Sequence, residues 1–217
     1  MQVMECIRKR RSVRKYLAVP VDWEKIGIIL DAGRLSPSAG NIQDWQFLVV
    51  LDEDKRKQIS EACLNQAWMA DAPIHIIICS ITEHSKQFYG LRGERLYSIQ
   101  NCAAAAENML LAATSLGLGS CWIGAFDEDI VKRVCRIPDR ARPQIILTIG
   151  YADEEPEEPS RRTLENVTFL NIYGENAGRI RDIDFTLGDT SGMVHEAAQK
   201  SANLAKKIQD RLLKRRR

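Results

Sequence analysis

Tyr97-Ser98-Ile99-Gln100-Asn101-Cys102-Ala103-Ala104-Ala105-Ala106-Glu107-Asn108-Met109-Leu110-Leu111-Ala112-Ala113-Thr114-Ser115-Leu116-Gly117-Leu118-Gly119-Ser120-Cys121-Trp122-Ile123-Gly124-Ala125-Phe126 is the stretch around which the rest of the chain is organised. Ile99, Cys102, Ala103, Ala106, Met109, Leu110, Ala113 and Leu116 recur in it at i, i+3, i+4 and i+7, which predicts a mostly buried helix of about five turns. Ala103 to Ala106 have side chains small enough for another helix backbone to come close. Gly117 and Gly119 stop the helix, since glycine readily takes the left-handed C-terminal position, and Cys121-Trp122-Ile123 leaves as an extended segment. Taken alone, this is a core helix with its exit turn. A sharper reading has Gly124 and Ala125, beside Trp122 and Phe126, exposing backbone amides at the rim of a pocket.

Working outward toward the N-terminus, Ile74 to Cys79 is a buried-strand pattern with Pro73 at its start, where the missing N–H does least harm. An amphipathic helix is predicted from Asp54 to Met69, and Gln46 to Leu51 is a strongly β-prone run. Ahead of it Ser36-Pro37-Ser38-Ala39-Gly40-Asn41 is rich in turn formers. A second helix is expected from Asp22 to about Leu35, with Trp23, Ile26, Ile29, Leu30 and Gly33 sharing a face and Pro20 just before it. Cys6 and Ile7 fit a short helix, followed by Arg8-Lys9-Arg10-Arg11-Ser12-Val13-Arg14-Lys15-Tyr16. The charged, mixed segment Thr82 to Tyr97 reads as a loop or short helix.

On the other side, Glu128 to Cys135 suggests a short helix closed by Pro138, and Ile145 to Tyr151 is a third β-run. An acidic, proline-bearing linker, Asp153 to Pro159, leads to Arg161-Arg162-Thr163-Leu164-Glu165. From about Ser191 to Leu213 an amphipathic helix is expected, with Val194, Ala197, Ala198, Leu204, Ala205, Ile208 and Leu212 on one stripe. Strands and helices alternate too irregularly for a series of βαβ units, so the expected class is α+β rather than a doubly wound sheet.

With 217 residues and 45% hydrophobic content, the chain can bury one sizeable core, and we expect one domain with a C-terminal arm. A formal net charge of +2 does not by itself call for a nucleic acid or an anionic membrane. No apolar run is long enough to span a membrane, and the basic start is not followed by the apolar core of a signal peptide, so a cytoplasmic location is expected. Cysteines 6, 63, 79, 102, 121 and 135 lie far apart, with no metal-ligand spacing, and read as reduced core residues.

The candidates for chemistry are anion binders and loop amides. Arg10, Arg11, Ser12 and Arg14 place guanidinium groups and a hydroxyl within five residues, a set suited to phosphate through paired, charge-assisted hydrogen bonds. A solvated basic face is the equal alternative on spacing alone. Ser38 and Asn41, ahead of Gln43, can hydrogen-bond a planar heteroaromatic ring or form an ordinary turn. There is no phosphate-binding glycine loop, nucleophile elbow or zinc helix, and His75, His84 and His195 are scattered.

Arg10 to Tyr16, Ser36 to Phe47, Gly117 to Phe126, Ile149-Gly150-Tyr151 and Arg161 to Glu165 together resemble the nitroreductase family of FMN-dependent oxidoreductases, in order and spacing, over about Met1 to Gly174. The resemblance implies an α+β subunit with a central sheet flanked by helices, residues 1–174 forming the FMN-binding domain and 175–217 a C-terminal helical extension. It further implies a homodimer with FMN at the subunit interface and the helix Tyr97 to Leu116 in the dimer contact. Carried over by position, Arg10, Arg11, Ser12 and Arg14 hold the ribityl phosphate together with Arg161 and Arg162. Ser38, Asn41 and Gln43 belong to a loop reaching the partner's FMN, Asn65 or Gln66 lies near the pyrimidine edge of the ring, and the Gly124-Ala125 backbone faces flavin N5.

The implied reaction is ping-pong hydride transfer from NADH or NADPH through flavin N5 to a nitroaromatic, quinone or similar small acceptor, with no obligatory side-chain acid, base or nucleophile. Dehalogenating, flavin-destroying and dehydrogenating relatives share the scaffold, and a non-enzymatic nucleic-acid-binding module is the remaining alternative. One departure stands out: many members have Gln-Pro-Trp where this chain has Gln43-Asp44-Trp45, which adds a charge close to the presumed flavin loop.

Overall fold

The strands fall where the β-branched runs place them. In the computed structural model, which describes residues 1–174, β1 (Trp45–Val50), β2 (Ile74–Ser80), β3 (Gly119–Ile123) and β4 (Arg142–Gly150) form a four-stranded antiparallel sheet in the order β1-β2-β4-β3. The expected helix from about Ser191 to Leu213 lies outside the described residues. The chain divides into two compact units, Met1–Glu158 and Pro159–Arg217. The described part of the second contains a 3₁₀ turn, Leu164–Val167, and the rings of Phe169 and Tyr173 packed 4.7 Å apart.

β2 is buried along its whole length because both faces of the sheet are covered. Ile74, Ile76 and Ile78 join Ile145, Leu147 and Ile149 of β4 against α2 (Trp23–Arg34) and α5 (Ser98–Ser115). Ile77, Cys79 and Ile146 face the other way, onto Ile59 of α3 (Glu53–Ala62) and Val131 of α6 (Glu128–Cys135). Met109 of α5 is fully buried, and truncating such a side chain to alanine typically costs about 2–5 kcal/mol.

The long helix matches its predicted span, with a rotated face. Asn101 and Ala105 lie inside with Cys102, Ala106, Met109, Leu110 and Ala113, whereas Ile99 is exposed. Its end is a Schellman motif: Leu118 N donates to Ala113 O at 2.9 Å and Gly117 N to Thr114 O at 3.1 Å, with Gly117 at φ +75°. Gly119 has a different task from the one its neighbour suggests. It opens β3, and a Cβ there would come within 2.9 Å of Val13, so its missing side chain admits the N-terminal segment beside the strand.

Two expectations are corrected and one is resolved. The helix predicted from Asp54 to Met69 ends at Ala62, because Leu64 and Asn65 adopt φ of +60° and +55° and the chain re-forms only as a 3₁₀ turn, Ala67–Asp71. Of the two alternatives for Thr82 to Tyr97 the helix is the one formed: α4 (Thr82–Arg92), kinked at Gly90, leads through a π-helical stretch, Gly93–Tyr97, into α5. Trp23 is exposed rather than on the buried face of α2, which consists of Ile26, Ile29 and Gly33.

Candidate functional site

After α1 (Val3–Lys9), the basic segment runs extended beside the sheet. Ser12 bridges Ser120 in parallel, Val13 N donates to Ser120 O at 3.0 Å, and Leu17 N donates to Tyr151 O at 2.9 Å. Tyr16, Val13 and Ala72 bury together, and the Tyr16 hydroxyl donates to Val13 O at 2.7 Å and shares a hydrogen bond with Thr148 Oγ1. Desolvation of this phenol raises its pKa, so the hydroxyl stays a donor. Thus the fold itself lays Arg10 to Arg14 along the start of β3.

Arg10, Ser12 and Arg14 lie near enough to Cys121 to act on its buried thiol. Burial pushes that thiol's pKa up, Arg14, Ser12 and Arg10 oppose the rise, and Glu154 adds to it. Arg11 is turned elsewhere: its guanidinium donates to the carbonyls of Arg8 and Arg10 and lies 3.5 Å from Glu158. Two buried polar atoms of this segment and of β3, Arg10 Nε and Ser120 Oγ, have no hydrogen-bond partner among the described residues. Arg10 Nε is 3.3 Å from Glu107 Oε1 without the geometry of a hydrogen bond.

Carboxylates accompany these arginines, which the sequence reading missed. Glu107 comes from α5, and Glu154 Oε1 accepts from Arg14 N and, at 3.1 Å, from Lys15 N. Glu154 belongs to the stretch read as a linker, and its sequence position 140 residues from Arg14 gives no hint of the contact. The antiparallel bridge between Tyr16 and Ala152 brings the two strands of chain together. The cluster is therefore charge-balanced rather than a bare cationic face.

A second group of predicted residues lies on the loop after α3. The Arg14 guanidinium sits 5.9 Å above the Trp68 ring, linking that loop to the basic segment. Gln66 is half-buried, with Nε2 donating to Cys63 O at 2.9 Å. Asn65 is exposed, and its side-chain amide makes no hydrogen bond among the described residues. Gly124 and Ala125 follow β3 directly and are both exposed, as a pocket rim requires.

Ser38, Asn41 and Gln43 form a third group. Ser38 Oγ accepts from Gln43 N at 3.0 Å, Gln43 Nε2 donates to Asn41 O at 3.2 Å, and Gly40, Asn41 and Gln43 all have positive φ. The hydrogen bonds of this loop run within itself and to α5, none to the basic segment, among the described residues. Asp44, expected to bring a charge toward the presumed flavin loop, is instead buried, 1% exposed, with its carboxylate held by Ser85 and Asn101. Arg161 and Arg162 are exposed in the second unit, just ahead of Leu164–Val167.

A cavity of about 580 Å³ is lined among others by Tyr16, Val19, Trp23, Leu51, Arg56 and Asp71, and contains none of the predicted site residues. Its one guanidinium is already committed, since Arg56 donates to Ala70 O and Ala72 O. Among the described residues there is no group of His, Cys, Asp and Glu placed to hold a metal, and no helix long and apolar enough to cross a membrane.

The profile of the nitroreductase family matches residues 7–68 and 62–151, which include the basic segment, the 38–43 loop and the β3 exit. A protein of Methanothermobacter thermautotrophicus, provisionally named an NADH dehydrogenase/NAD(P)H nitroreductase, is 38% identical over 160 residues, covering 72% of this chain and 80% of its own. The NADPH-flavin oxidoreductase of Vibrio harveyi is 28% identical over 192 residues, covering 85% of this chain and 80% of its own. Among solved structures, a nitroreductase family protein of Clostridium difficile 630 superposes with a TM-score of 0.70 at 29% identity, covering 79% of this chain and 99% of its own. With the profile match over most of the chain and these likenesses in agreement, the chain belongs to the nitroreductase family.

Proposed function

We propose that this protein is an FMN-dependent oxidoreductase that takes hydride from NADH or NADPH and passes it to a nitroaromatic, quinone or similar small acceptor. The observation that carries the reading is the placement of Arg10, Ser12 and Arg14 beside the start of β3, with two buried donors, Arg10 Nε and Ser120 Oγ, left without hydrogen bonds among the described residues. A phosphate group supplies acceptors of the kind those atoms lack. The family relationship and the flavin chemistry named for the Vibrio harveyi relative support FMN as the phosphate's bearer.

When bound, FMN supplies the hydride relay between nicotinamide and acceptor. In this reading Arg10, Ser12 and Arg14 hold its phosphate and Glu107 and Glu154 keep the guanidinium and amide groups in place beforehand. Gln66 spends its amide on Cys63 O, so Asn65 is the better candidate for the pyrimidine edge. The exposed Gly124-Ala125 backbone offers N–H groups on residues with no bulky side chain of their own. Because the 38–43 loop hydrogen-bonds away from the basic segment of its own chain, it serves a flavin in a second subunit of a homodimer.

The test is anaerobic mixing of FMN-loaded protein with NADH and with NADPH, followed by reoxidation with a panel of acceptors. Bleaching by a nicotinamide and recovery with a nitro compound or quinone is the expected result; a protein that takes up no FMN, or whose flavin neither nicotinamide reduces, overturns the reading. Substituting Arg161 and Arg162 together by alanine tests their inferred role, with weaker FMN binding as the expected outcome.

A further inference from the structure

Asp44 occupies a position where the flavin reading gives no reason for a carboxylate. Its Oδ2 accepts from Ser85 Oγ of α4 at 2.6 Å and its Oδ1 from Asn101 Nδ2 of α5 at 2.7 Å, while its own carbonyl accepts from Ile81 N at 2.7 Å. Asn101 Oδ1 accepts from Ala39 N at 2.9 Å. The Asn101 amide can sit only this way round, since a carboxylate accepts and a backbone N–H donates. A continuous set of hydrogen bonds therefore joins α4, the start of β1, α5 and the 38–43 loop.

The loop at the end of that set is one that needs holding. Gly40, Asn41 and Gln43 stand at φ +57°, +56° and +52°, and whereas glycine and asparagine tolerate the left-handed conformation, Gln43 keeps it only where its surroundings impose it. One turn beyond Ser85 on α4, Tyr89 brings its hydroxyl against Gly40, so closely that an added Cβ there would come within 2.5 Å. The loop is thus pinned at Ala39 through Asn101 and packed at Gly40 by Tyr89.

We propose that Asp44 is a positioning residue: through Asn101 it holds Ser38 to Gln43 in the conformation from which that loop addresses the flavin. The flavin part of this claim rests on the function proposed above; the holding part does not. Asp44→Ala leaves Asn101 Nδ2 and Ser85 Oγ unpaired. Asp44→Asn can keep both bonds, its Oδ1 accepting from Asn101 and its Nδ2 donating to Ser85 Oγ.

The experiment measures amide hydrogen exchange in the FMN-free full-length chain and, separately, FMN affinity. Asp44→Ala is expected to speed exchange of the amides of residues 39–43 by about tenfold or more, with β2 and β4 changing far less, and to weaken FMN binding by a similar factor. Asp44→Asn is expected to stay within about threefold of the parent in both. Should Asp44→Ala fail to fold, Asn101→Ala, which removes the acceptor for Ala39 N, must give the same local increase. Unchanged loop exchange, an equal increase throughout the sheet, or Asp44→Asn behaving like Asp44→Ala overturns the proposal. A loosened loop in a chain that binds no FMN even as wild type leaves the holding role in place and overturns the flavin reading instead.

Discussion

The 36–44 loop and the 63–72 loop face the same task with opposite chemistry. Each carries residues in the left-handed region, Gly40, Asn41 and Gln43 in the first and Leu64 and Asn65 in the second, and each is too irregular to satisfy its backbone by a ladder. The first has its N–H groups captured by acceptors: Asn101 Oδ1 takes Ala39 N and Ser38 Oγ takes Gln43 N. The second has its carbonyls captured by donors: Arg56 reaches Ala70 O at 2.6 Å and also Ala72 O, and His75 Nε2 donates to Met69 O at 2.8 Å. A loop's polarity is therefore answered by side chains of the opposite kind, acceptors for the first and donors for the second.

The contrast is broken most strongly through His75. Its ring is fully buried, Nε2–H is committed to Met69 O, and Nδ1 has no partner, so the neutral form is held and burial pushes the pKa down to about 4. The unfolded histidine takes up its proton near pH 6.5 while the folded one does not. This contribution is thus fully present above pH 6.5 and is lost as pH falls toward 4, by about 3 kcal/mol in all. Urea unfolding of wild type and His75→Gln across that range is expected to show a difference that shrinks with acidity; a constant difference would remove His75 from the account.

Next comes Arg56→Met, which keeps the stem and deletes the donors. It is expected to cost about 2 kcal/mol and to speed exchange at residues 63–72 while sparing 38–43. An equal effect on both loops would show that they are not held independently. The smallest effect is expected at Leu64, 74% exposed at φ +60°. Leu64→Asn relieves a strained, exposed position and should stabilise by about 0.5–1 kcal/mol, read as a rise in the midpoint of urea unfolding.

Much of the framework was legible because periodicity reports burial. The isoleucines of β2 and β4 and the 3.6-residue repeat of α5 place the strands and the long helix within a few residues of their observed spans. The two rim loops were legible to different degrees. Pro37 and Gly40 announce a turn, whereas Leu64-Asn65 contains neither glycine nor proline and sits amid apolar residues that continue the helical pattern. The burial of Asp44 has no local mark, because it depends on Ser85 and Asn101, which lie 41 and 57 residues away. The same holds for Glu154, whose link to Arg14 is a tertiary event with no local mark.

The central claim is that Arg10, Ser12 and Arg14 form a seat for a flavin's phosphate, and comparing FMN with riboflavin tests it most directly. Riboflavin has the same ring and ribityl chain and no phosphate. We expect wild type to bind FMN about 100-fold more tightly than riboflavin, and Arg14→Ala to lose about tenfold of that preference while binding riboflavin as before. Equal affinity for the two flavins, or a preference that Arg14→Ala leaves intact, would contradict it.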